Sequence, residues 1–105
     1  MLDDTIIREH IKQIVKQTDN TAITILYGSR ARGNAHIDSD WDILILLNKP
    51  KVSIEDEQIF RHKLYDLELE IGQSISTFVY SRKEWDGKLL YTPLHENIQL
   101  EGEIL

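Results

Sequence analysis

The sequence predicts an α/β (α+β) fold, a mixed β-sheet packed with helices. Three observations carry this prediction. Apolar residues recur at helical spacing in residues 3–18 and again after Ser53. Short β-branched and apolar runs at 21–27, 42–47 and 74–80 read as strands. The middle run is nearly all apolar after Asp42, as in a strand buried on both faces, so it is the central strand and helices cover it.

Taken in order, the first helix starts at Asp3 or Asp4, either of which can cap it. Ile7, Ile11, Ile14 and Val15 form its buried stripe, while Arg8, Lys12 and Lys16 fall elsewhere and read as solvated. Thr18-Asp19-Asn20 stops it. The strand Thr21 to Tyr27 leads into a turn and short helix, Ser29 to Arg32, and then a loop at Gly33-Asn34. Asn48-Lys49-Pro50 ends the central strand, because proline cannot continue it. Ser53 caps a second long helix, with acids in its first turn and Ile59, Phe60, Leu64 and Leu67 on its apolar face, interrupted by Lys63. The end of that helix is open: Leu67 to Ile71 (LELEI) also alternates like a strand, and Gly72 breaks whatever precedes it. After the strand Ser74 to Tyr80, Ser81-Arg82-Lys83-Glu84 matches a capping box and starts a short helix through Trp85, a core residue. Thr92-Pro93 opens a final helix in which Leu94, Ile98 and Glu101 align, with Gly102 ending it. Tyr91 and His95 read as core-edge or partner-facing residues.

Composition narrows the function. The 105 residues read as one domain, 1–105, with ordinary apolar (41%) and charged (29%) shares. No apolar run reaches the ~18 residues of a membrane-spanning helix, and MLDDTIIREH has no signal-peptide core. A cytoplasmic location is therefore expected, with no membrane partner. Cysteine is absent, which excludes disulfides and thiolate metal sites. The net charge of −6 argues against a grip on nucleic acid, which favours basic surfaces.

One stretch carries chemistry: Tyr27 to Leu47, YGSRARGNAHIDSDWDILILL. Residues i and i+2 of a strand share a face, so Asp40 and Asp42 project together and Trp41 projects away. Two adjacent carboxylates raise one another's pKa unless a cation sits between them. Such hard oxygen donors suit Mg²⁺, which takes one or two carboxylates plus substrate phosphates. Gly28 lets a phosphate approach the backbone, Ser29 adds a hydroxyl, and the amides of the following turn can point at the same anion. Either Arg30 or Arg32 would help hold a triphosphate, or both are solvated charges. A phosphate cradle beside a divalent-metal seat is what phosphoryl or nucleotidyl transfer requires.

The pattern G-S-x10-D-x-D followed by an apolar strand resembles the signature of the DNA polymerase β-like nucleotidyltransferase superfamily. In its fuller form, GSRARG…SDWDILIL, it is similar to the minimal nucleotidyltransferase (MNT) branch. The resemblance implies a small nucleotidyltransferase core that binds ATP or another NTP with Mg²⁺. Asp40 and Asp42 would hold the metals, and Gly28, Ser29 and Arg32 the nucleotide phosphates. It also implies an acceptor: a HEPN-domain toxin, whose hydroxyl receives AMP and which is thereby silenced, making this chain an antitoxin. Oligomerisation is left open. The superfamily's third carboxylate would fall at Ser76, which is not an acid. Glu70, and after it Glu68, could substitute if LELEI extends toward the site, so Glu70 joins Asp40 and Asp42 as a candidate catalytic residue. Two further readings follow: a catalytically weakened module that neutralises its partner by binding through the apolar stretch Leu89 to Ile98, and a transferase acting on small hydroxyl compounds such as aminoglycosides. The chain's length disfavours the latter.

Overall fold

The structure, a computed structural model, describes residues 3–105. Helix α1 (Asp4–Thr18) is capped by Asp3, whose carboxylate accepts the Ile6 amide at 2.9 Å. Strand β1 (Ile23–Tyr27) passes directly into the one-turn helix α2 (Ser29–Arg32). Strand β2 (Trp41–Leu47) pairs antiparallel with β1, bringing Tyr27 opposite Asp42. Helix α3 (Ile54–Ile71) opens with a reciprocal capping box between Ser53 and Asp56. Strand β3 (Ile75–Ser81) runs parallel to β2, with Ser76 opposite Asp42. Helices α4 (Arg82–Asp86) and α5 (Pro93–Glu101) follow, and a two-residue strand, β4 (Glu103–Ile104), pairs with β1. The sheet order is β3-β2-β1-β4, and the sheet is mixed, as predicted.

Strand β2 explains the layering. Trp41, Ile43, Ile45 and Leu47 pack with Ile7, Ile11 and Val15 of α1 and Phe60, Leu64 and Leu67 of α3. Leu44 and Leu46 face the other way, toward Tyr27, Trp85 of α4 and Ile98 of α5. Each buried Leu or Ile contributes roughly 1.5–3 kcal/mol. A slip of one residue would exchange Trp41 with Asp42, so the register is strongly specified.

The structure departs from the sequence expectations at several points. LELEI is helical to Ile71, and Gly72 caps α3, so the strand alternative for that stretch is excluded. Ile59 is 48% exposed, because the buried stripe of α3 runs through Phe60, Leu64 and Leu67 and leaves Ile59 at its margin. Arg8 is tied down rather than simply solvated: it pairs with Glu103 at 2.7 Å and donates to the Arg30 carbonyl at 3.1 Å. His95 is buried against the Trp85 ring, whereas Tyr91 is exposed. In the apolar stretch after Trp85, Leu89, Leu94 and Ile98 pack inward, and Leu90 and Tyr91 are outside. Among the described residues, no helix is long and apolar enough to cross a membrane.

Arg30 is neither a phosphate grip nor a solvated charge. Its side chain is buried, with the guanidinium 4.7 Å from the centre of the Trp41 ring. It donates to the Ser39 carbonyl at 2.9 Å and to Gln73 Oε1 at 3.2 Å, and Gln73 Oε1 also accepts the Trp41 indole N–H at 2.7 Å. The guanidinium thus ties α2, the loop before β2 and the turn between α3 and β3 together, and so fixes the approach to Asp40 and Asp42. Arg30→Lys keeps the charge but loses the planar fork. It should lower stability by about 2–4 kcal/mol, since buried acceptors lose their donors; urea denaturation measures this.

Candidate functional site

Gly28 stands at the end of β1 with φ 77° and ψ −160°, a backbone region essentially closed to residues with a Cβ. Space demands glycine as well, because a Cβ there would collide with the Asp42 carboxylate. The chain then turns into α2, whose Ala31 and Arg32 amides donate to the Gly28 carbonyl at 3.1 and 3.0 Å. The backbone of Gly28 and the carboxylate of Asp42 are therefore in contact across the β1–β2 ladder.

Asp42 is partly buried, and Asp40 is exposed in the loop just before β2. Burial, the neighbouring Asp40 charge and Glu101 hold the Asp42 carboxyl above the usual carboxylate range, with Arg32 opposing them. Tyr27, opposite Asp42, is pushed up to about 12, chiefly by burial and then by the Asp42 and Tyr80 charges. This corner of the sheet carries unbalanced negative charge.

A residue that sequence reasoning did not place in the site occupies it. Glu101, at the end of α5, accepts the Gly28 amide at 3.0 Å through Oε1 and pairs with Arg32 Nη1 at 2.8 Å through Oε2. The Arg32 hydrogen bond, and secondarily the Gly28 amide, hold its carboxyl below the usual range. A signal was present: Glu101 continues the apolar stripe of Leu94 and Ile98, and an acid on a buried stripe needs a partner.

Of the residues singled out from the sequence, Gly28, Ser29, Arg32, Asp40 and Asp42 come together at one end of the β1–β2 pair. Glu70 does not join them. It is exposed in the last turn of α3, a helix that packs on the Trp41 side of the sheet, while Asp42 faces the other side with Leu44 and Leu46. The condition for Glu70, an extended LELEI, is not met. Glu68 is engaged elsewhere, accepting the Ile75 amide at 2.6 Å where β3 begins. The position across from Asp42 on β3 is Ser76. A cleft of about 510 Å³ between α1 and α3 lies beside Leu47, at the far end of β2 from Asp42, and contains the Lys49–Asp56 ion pair.

Glycine pressed against a strand-borne carboxylate, with a second carboxylate two residues earlier, is the arrangement that the G-S-x10-D-x-D spacing leads to, and it sits in a small mixed-sheet core of the nucleotidyltransferase kind. The chain belongs to the polymerase beta nucleotidyltransferase family, whose model matches residues 9–102. Its fold is shared by a crystal structure of a toxin-antitoxin with AMP-PNP: TM-score 0.67, 15% identity, covering 91% of this chain and 69% of that one. It is shared equally by a provisionally assigned minimal nucleotidyltransferase: TM-score 0.65, 22% identity, covering 99% of this chain and 97% of that one. No curated protein matches the sequence.

Two outcomes follow from the geometry. Gly28→Ala should lower stability by about 1–3 kcal/mol through backbone strain, with the Asp42 contact adding to it; chemical denaturation gives the value. For Asp42, the folded pKa lies above the unfolded one, so its ionisation opposes folding and this penalty fades as pH falls. With chelator present, Asp42→Asn should therefore melt above wild type at pH 7. The gap should close as pH drops through the carboxylate range; a gap that widens there would refute the assignment.

Proposed function

We propose that this chain is a Mg²⁺-dependent nucleotidyltransferase that moves a nucleoside monophosphate, AMP from ATP, onto a hydroxyl of a partner protein. The observation that carries the reading is the contact between Gly28 and Asp42, with Arg32 beside them. It supports a triphosphate lying along the Gly28-Ser29 backbone with its charge met by Arg32. The donor set fits the metal: two protein carboxylates, Asp40 and Asp42, leave room for the phosphate oxygens and waters that Mg²⁺ prefers. The raised Asp42 carboxyl also marks a place where a cation would relieve repulsion. Bound there, the metal would neutralise charge on the phosphates and on the leaving pyrophosphate.

The chain's own residues orient the reactants. Gly28 and Ser29 position the β- and γ-phosphates, and Asp40 and Asp42 would hold the cation that lets a phosphate approach two carboxylates. The acceptor oxygen bonds to the α-phosphorus, the bond to the β-phosphate oxygen breaks, and pyrophosphate leaves. The acceptor's proton is lost to solvent or to a carboxylate of the Asp40–Asp42 pair, since β3 offers Ser76 at the position facing Asp42. The MNT resemblance supports a HEPN toxin as acceptor and an antitoxin role in the cytoplasm. The fold shared with a toxin-antitoxin solved with AMP-PNP supports both a nucleotide and a protein partner.

Ser76 also favours one competing reading, a weakened module that neutralises its partner by binding alone. Calorimetric titration of ATP, with and without Mg²⁺, separates them. The enzyme reading expects metal-dependent binding that weakens at least about tenfold in Asp42→Asn, the scale of one lost charge-assisted contact. It further expects labelled AMP to appear on the partner. Neutralisation that survives Asp40→Asn with Asp42→Asn would establish the binding module instead.

A further inference from the structure

The best-defined anion in the proposed nucleotide site belongs to the protein. Glu101 places one carboxylate oxygen on the Gly28 amide at 3.0 Å and the other on Arg32 at 2.8 Å. These are the two donors that the reading above assigns to phosphate oxygens. A carboxylate and a phosphate present oxygens of similar reach and charge to such a pair of donors. We propose that Glu101 is an intramolecular latch that occupies the phosphate cradle and must be displaced by the incoming nucleoside triphosphate. The inference rests on the proposed function and adds the regulation of that site.

Several features make the latch releasable. Its anchor is independent of the contact: α5 is held by Ile98 and Leu94 in the core, and the chain beyond it by pairing of β4 with β1 and by the Leu105 amide on the Thr24 carbonyl at 2.9 Å. The Glu101 side chain can therefore swing away while α5 stays docked. Arg32 is 47% exposed, so its pair with Glu101 is screened by water and readily exchanged. Glu101 also adds repulsion at Asp42. A nucleotide arriving with its cation replaces a carboxylate that strains the site with one ligand that satisfies both ends. The consequence is a lowered resting affinity: closed molecules bind nothing, and the apparent affinity falls by the fraction that is open.

The test is calorimetric titration of Mg-ATP into wild type, Glu101→Gln, Glu101→Asp and, as control, Asp42→Asn, with melting curves to confirm folding. Glutamine keeps the shape but not the charge; aspartate keeps the charge but is too short to reach both donors. The latch expects tighter binding by both Glu101 variants, about tenfold for glutamine, the scale of a lost charge-assisted hydrogen bond. Tightening by glutamine alone would be a general field effect and would overturn the latch, as would unchanged or weaker binding. Binding by the Glu101 variants where wild type shows none would be its strongest support. If no protein binds, the nucleotide site itself fails and the latch with it; if wild type binds and Asp42→Asn does not, only the latch is at stake. An amide NMR titration of wild type gives a reading free of mutation: the Gly28 resonance must shift as Mg-ATP is added, and a stationary Gly28 overturns the proposal.

Discussion

Strand β2 is buried on both faces, and the rest of the molecule follows from that constraint. Its odd-numbered side chains require one helical layer and its even-numbered ones another, so α1 and α3 must lie opposite α4 and α5. The same alternation decides the chemistry. Asp42 shares a face with Leu44 and Leu46, so the carboxylate emerges at the end of a row of core residues, beneath α5. Only the loop before β2 and the Gly28 turn leave it room. A charge is tolerated there because the strand has only just begun and solvent reaches it.

Holding such a charge in place requires a rigid surround, and Arg30 supplies one. A buried guanidinium is stable only when its donors find acceptors. Here the acceptors are the Ser39 carbonyl and Gln73, with the Trp41 ring beneath. The cluster converts a polar loop, Gly33 to Asp40, into a fixed approach to β2. Two arginines two residues apart on α2 thus take opposite roles: Arg30 turns inward to build the site, and Arg32 remains half-exposed at its mouth.

Much of this was legible in the sequence because the signals were local. Caps at Ser53, Ser81 and Thr92, the continuous apolar run of β2 and the proline at the start of α5 each act within a few residues, and each appears where expected. The Gly28-Ser29 and Asp40-x-Asp42 spacing was legible for the same reason, since a strand, a short turn and a second strand leave few ways to connect them. The choice between helix and strand for LELEI was not local. Its alternation fits a strand, but the helix continues the Phe60, Leu64 and Leu67 stripe against β2, and that tertiary gain prevails. The short strand β4 was invisible because two residues carry no period.

The least legible feature is Glu101, and the reason is physical. Its partners are 73 and 69 residues away in sequence, at Gly28 and Arg32. The acid was visible on the stripe of α5, yet which donors it would meet depends on how α5 crosses the sheet. That crossing is set by Ile98 and Leu94 packing beside Leu44 and Leu46 on the very face from which Asp42 projects. The core packing that buries β2 therefore also delivers a carboxylate to the mouth of the site. A sheet that carries a partly exposed carboxylate on a helix-covered face must either leave the covering helix short or give it a polar residue there. This chain does both: α5 ends at Glu101, and Gly102 lets the chain turn away against Ile25, where a Cβ would not fit.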